Sequence, residues 1–91
     1  MIELKQEVVE LIRAELASIP EKYHNFRNVH EGLGVLREEY RELEDEMFFG
    51  EKLAKNNPHI DFDYERIWRE RIRKEAVQVA AMAIRIIQEL T

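Results

Sequence analysis

Cysteine is absent from the 91-residue chain, which removes both disulfide staples and thiolate metal ligation. Glycine and proline are scarce, at three and two residues. So few breaking residues, in a chain with 36% charged side chains, point to an all-α protein. Long apolar runs are missing too. The richest, from Ala76 to Ile87, contains Gln78 and Arg85 and is too short to span a bilayer. No apolar leader opens the chain, because Glu3, Lys5, Glu7 and Glu10 interrupt its first residues. Positive charge is not in excess. A formal net charge of −5 argues against a duplex nucleic-acid binder, which needs a basic footprint. Nucleophilic catalysis has little to draw on, since Ser18 stands alone with no organised base. A soluble, cytoplasmic protein is the expectation.

Residues 1–91 read as one small domain. A chain of this size buries only about 60–65% of its unfolded surface, so a partner subunit is a natural source of extra core. Three main helices are expected, assembling into a dimeric or tetrameric helical bundle. The first spans Ile2 to Leu16, with Leu4, Val8, Leu11, Ile12 and Leu16 on one face. Ser18-Ile19-Pro20-Glu21 stops it and has the spacing for a short helical restart. Tyr23, Phe26 and Val29 follow in a loop folded back over the core. Asn28 is the expected N-cap of the second helix, with Glu31 at the capping-box position. Gly50 is read as its stop. Glu51 to His59 then forms a polar connection, and Asp61 or Asp63 caps the third helix. In that helix the stretch Ala76 to Ile87 is apolar nearly all round, which in so short a chain implies burial against a second copy.

The most informative stretch runs from His30 to Met47. Leu33, Leu36, Tyr40, Leu43 and Met47 make the apolar stripe of an amphipathic helix. Glu31, Glu38, Glu42 and Asp45 point away from it, and Glu39 and Glu46 sit at its border. Like charges such as Glu38/Glu42 and Glu39/Glu42 each cost a helix roughly 0.2–0.5 kcal/mol. Either the face is simply solvated, or a divalent cation offsets the repulsion. Glu31 has either a capping role or a place in a site. Gly32 and Gly34, poor helix formers, mark either a close approach or a frayed first turn.

The last helix repeats the puzzle. Glu75 and Gln78 lie among apolar neighbours, where each is costly without partners. An antiparallel pairing of the two long helices brings Glu39 and Glu42 alongside Glu75. Oxygens converging there would make a hard site suited to magnesium or manganese, with substrate phosphates completing the shell. The competing reading pairs Glu75 with a neighbouring arginine such as Arg71 or Arg85 and has Gln78 bonding between subunits.

Glu38-Glu39-Tyr40-Arg41-Glu42 has the form Glu-Glu-x-x-Glu, and Glu75-Ala76-Val77-Gln78 matches a second motif of the form Glu-x-x-Asp except at its last position. In this the chain, from about Val29 to Ile87, resembles the MazG-like all-α nucleoside triphosphate pyrophosphohydrolases. The resemblance implies a helical homodimer or homotetramer that binds Mg2+, with Mn2+ as an alternative. It also implies hydrolysis of a nucleoside triphosphate to monophosphate and pyrophosphate. Carried over by position, Glu39, Glu42, Glu75 and Gln78 would hold the metal, and Glu38 would orient the attacking water or ligate a second ion. Lys52, Lys55, Arg71 and Lys74 are then candidate phosphate contacts, or else basic residues that serve solubility. Gln78 departs from the family pattern by supplying a neutral oxygen where aspartate is expected. That departure keeps a second expectation open, a non-catalytic helical oligomerisation or interaction module retaining the fold.

Overall fold

The computed structural model describes residues 2–20, 24–56 and 62–91, with the backbone alone at 51–56, 62 and 63. Three helices form among them and no strand: α1 (Gln6–Ala17), α2 (Val29–Asn56) and α3 (Phe62–Leu90). No helix in the described residues is long and apolar enough to cross a membrane.

Helix α1 starts four residues later than the apolar periodicity suggests. Lys5 is the N-cap, in extended conformation and without a side-chain cap bond. Ile2 and Leu4 lie open to solvent, so a longer helix would have buried nothing in return for the ordering. The stop is as expected. Ser18 Oγ donates to the Glu15 carbonyl at 2.6 Å, and Pro20 follows. Of the expected restart, Ser18, Ile19 and Pro20 are not helical, and Glu21 and Tyr23 lie outside the described residues.

Asn28 caps α2. Its Oδ1 accepts the Glu31 N–H at 3.0 Å, satisfying one of the donors left over in the first turn. The Glu31 carboxylate turns back, accepting from the Arg27 N–H at 3.4 Å and meeting His24 Nε2 at 3.0 Å. Glu31 therefore fastens the entry to the helix.

Gly50 does not end α2. The helix continues through it to Asn56, so residues 51–56 of the expected connection are helical. The physical reason is a close approach. A Cβ at position 50 would land on the Trp68 indole, which lies against the bare backbone there. Trp68 Nε1 donates to the Glu46 carbonyl at 2.9 Å, fixing that ring. Tertiary packing thus outweighs the roughly 1 kcal/mol that glycine costs a helix interior. Gly32 repeats the device at the other end, where an added Cβ would sit 2.8 Å from Leu90 and 3.3 Å from Ile86. Gly34 faces open space, and nothing in the structure explains it. The N-cap expected at Asp61 or Asp63 lies outside the described residues and side chains.

These contacts set the register of an antiparallel α2–α3 pair, with Gly32 beside Ile86 and Leu90 and Gly50 beside Trp68. Among the described residues, the backbone of helix α1 runs beside α3 and not beside α2. The buried centre consists of Phe26, Ala81 and Met82, surrounded by Leu16, Ile19, Val35, Leu36, Ile86 and Leu90. Phe26 comes from the loop folded back over the core. Its N–H donates to Glu89 at 2.8 Å, and Arg85, bound to Glu89 at 2.8 Å, stacks 4.0 Å over its ring. The apolar second half of α3, expected to be buried against a second copy, is thus covered on one side by this chain's own α1 and loop.

Candidate metal centre

Between the two glycine contacts, the same register aligns the acidic residues of α2 with Glu75 and Gln78 of α3. Glu39 and Glu42 share a face because residues three apart on a helix are neighbours. Glu75 and Gln78 do so for the same reason. One carboxylate oxygen from each of Glu39, Glu42 and Glu75 lies within 4.8 Å of the others.

Gln78 joins this group. With its carboxamide oriented to satisfy both of its polar atoms, the nitrogen donates to Glu39 Oε2 and to Glu75 Oε2, at 3.0 Å each. The amide therefore bridges the two helices, facing the carboxylates with its donor side. Offering its oxygen to a cation requires the amide to turn over, because an amide nitrogen has no lone pair to give. Glu38, one position before Glu39, is exposed and stands outside the cluster. Its charge still reaches Glu39, where it contributes to the shift in that group's acidity.

The electrostatics follow from the crowding. Glu39 has its pKa raised, first by desolvation and then by the charges of Glu42 and Glu75. Glu75 is raised as well, again by desolvation first and then by Glu42, with Lys74 pulling the other way. A hydrogen bond with the Glu42 side chain favours the protonated form of each. Both acids thus resist ionisation where they stand, through burial first and the convergence of their charges second.

Among the described residues Glu75 pairs with no arginine. Arg71 binds Glu46 Oε1 at 2.8 Å instead, and Arg85 binds Glu89. Glu46 is the residue that sequence reasoning passed over. It lies one turn beyond Glu42, holds Arg71, supplies the carbonyl for Trp68, and raises the Glu75 pKa. The signal that would have found it is Arg71, one turn before Glu75 on α3. Lys52 and Lys55 have side chains outside those described.

The donor set fits a hard cation. Three carboxylates and a potential amide carbonyl are all-oxygen ligands, and octahedral magnesium with bonds of about 2.1 Å sets its ligand oxygens about 3–4 Å apart. Small side-chain adjustments bring the three glutamates into that range. Compared with family models, curated proteins and solved structures, the chain matches none.

Proposed function

We propose that this protein is a magnesium-dependent nucleoside triphosphate pyrophosphohydrolase of MazG-like type, with Mn2+ able to replace Mg2+. The observation that carries the reading is the convergence of Glu39, Glu42 and Glu75 from two antiparallel helices. Their spacing follows the two-motif pattern of that family. A cation bound there would neutralise phosphate charge and acidify a water, the two needs of phosphoryl transfer.

The chain's own residues have distinct tasks in this reaction. Glu39, Glu42 and Glu75 would hold the cation, and the resistance of Glu39 and Glu75 to ionisation would disappear as it binds. Glu38, exposed beside them, accepts the proton of the attacking water. Water adds to phosphorus, the bridging oxygen between the α and β phosphorus atoms departs with pyrophosphate, and the monophosphate remains. Gln78 spans Glu39 and Glu75 and enters the metal shell only with its amide turned over. Lys74, whose charge reaches Glu75, is the basic residue placed to meet a phosphate, whereas Arg71 is held by Glu46. The acting species is a homodimer or homotetramer.

The Gln78 bridge favours a second reading, a non-catalytic helical module. With the amide in the orientation that satisfies both its polar atoms, an N–H donor between two carboxylates takes over part of a cation's role. A panel of ribo- and deoxyribonucleoside triphosphates separates the two. Pyrophosphate should be released only with magnesium or manganese present, and Glu39→Gln/Glu42→Gln should abolish release. No release from any nucleotide by folded wild-type protein with millimolar magnesium overturns the enzyme in favour of the module.

A further inference from the structure

The α2–α3 pair has two edges. One carries the carboxylates. The other is a groove of about 440 Å3 lined by Tyr40, Leu43, Met47, Phe48, Trp68 and Ile72, with Glu44 at its rim. Helical geometry places Glu42 about 160° around α2 from Tyr40, so the groove faces away from Glu42. Tyr40 and Phe48 are 56% and 62% exposed. Farther along α3, Ile87 is 63% exposed.

The molecule's surface says how much is uncovered. The chain exposes 7598 Å2. A compact monomer of 11.0 kDa is expected to expose about 5,600 Å2, which leaves an excess of about 2,000 Å2. The radius of gyration, 15.7 Å, likewise exceeds the roughly 12 Å of a compact domain of this length. A stable interface needs about 800 Å2 from each partner, and obligate ones take more. Among the described residues no large side chain is fully buried, so the protomer lacks the core that would make it self-sufficient.

We infer that a second copy of this chain seats on the Tyr40–Phe48 edge, related to the first by a two-fold axis near Tyr40. The rim carries its own complement. Arg37 and Glu44 lie one heptad apart on the outer side of the stripe, flanking Tyr40, and both are exposed. Neither forms an ion pair within the protomer among the described residues. Crossing two α2 helices antiparallel at Tyr40 sets Arg37 of each copy against Glu44 of the other, the self-complementary pattern of a two-fold interface. This arrangement does not depend on what the carboxylates do. It leaves their edge open in each copy and supplies each copy with the apolar cover it lacks.

Sedimentation of the full chain at micromolar concentration tests the assignment. Wild type should be a dimer or larger, and Phe48→Glu should shift it to monomer. Arg37→Glu and Glu44→Arg should each weaken association on the order of tenfold or more. Mixing those two variants should restore wild-type association, because one copy then presents two acids and the other two bases. Should Phe48→Glu fail to fold, as judged by circular dichroism, the mixing experiment decides alone, since it changes only exposed rim charges. A wild-type monomer overturns the inference. So does an oligomer whose affinity neither charge reversal changes, or one that mixing fails to restore.

Discussion

Replacing Gln78 by aspartate separates the roles its amide can have. The amide nitrogen donates to two carboxylate oxygens at 3.0 Å each. Hydrogen bonds to charged groups are worth about 1.5–3 kcal/mol apiece, and partial solvent access at this edge argues for the low end. Losing both, and adding a fourth acid beside Glu39, Glu42 and Glu75, should cost metal-free protein about 2 kcal/mol or more. For a chain of this length that lowers the melting temperature by roughly 8–16 °C. Magnesium should reverse the order of effects. A ligand at a hundred times its Kd adds about 2.7 kcal/mol, and an anionic ligand in place of a neutral one should tighten binding. Melting curves of Gln78→Asp and wild type, in EDTA and in millimolar magnesium at pH 7 and one fixed protein concentration, supply the four numbers needed. Gln78→Asp should melt well below wild type in EDTA and gain more from magnesium. Equal melting in EDTA would show that the amide does not hold the carboxylates. No response to metal in either protein would refute the cation site itself.

The acidity of the cluster predicts a pH dependence with a definite sign. Glu39 and Glu75 have folded pKa values raised above the ordinary 4.5, so their contribution to stability is fully present below that value. It is lost as pH rises through the raised values, and in EDTA the melting temperature should fall across that window. Glu89 opposes this at lower pH: its pKa is lowered, chiefly by the hydrogen bond from Arg85, so its contribution disappears as pH falls through the lowered value. Glu39→Gln/Glu42→Gln should flatten the upper slope alone, and an unchanged slope would contradict the assignment. Two glycines should respond oppositely to alanine in urea unfolding. Gly50→Ala drives a methyl into the Trp68 indole and should destabilise by about 1–3 kcal/mol, whereas Gly34→Ala enters open space and should stabilise by about 0.8–1 kcal/mol. A stabilised Gly50→Ala would mean that the indole does not rest on that backbone.

The convergence of Glu39, Glu42 and Glu75 was legible because it depends only on helical spacing and on antiparallel pairing of two long helices. The Asn28 cap was legible for a similar reason, being local in sequence. Gly50 was misread because its local preference is to end a helix, while the contact that keeps it helical comes from Trp68, eighteen positions away. Arg71 could not be assigned to Glu46 over Glu75 by spacing, since Glu75 lies one turn away on the same helix, whereas the reach to Glu46 depends on the register of the helix pair. The donor side of Gln78 was hidden more deeply. A carboxamide offers either face, and only its neighbours decide which one is used.

Among the described residues, the backbone of helix α1 runs beside α3 and not α2, and none of its residues is buried. Its far end is tied by Arg73 to Glu7 at 2.9 Å, but both side chains are more than 60% exposed, where an ion pair holds little. Cooperative units of a native protein open in order of how much they bury. Amide protons of α1 should therefore exchange with solvent first, while those of α2 and α3 around the carboxylates stay protected until the hairpin itself comes apart. The acid centre belongs to the part of the molecule that lets go last, and α1 can detach and return without disturbing its geometry.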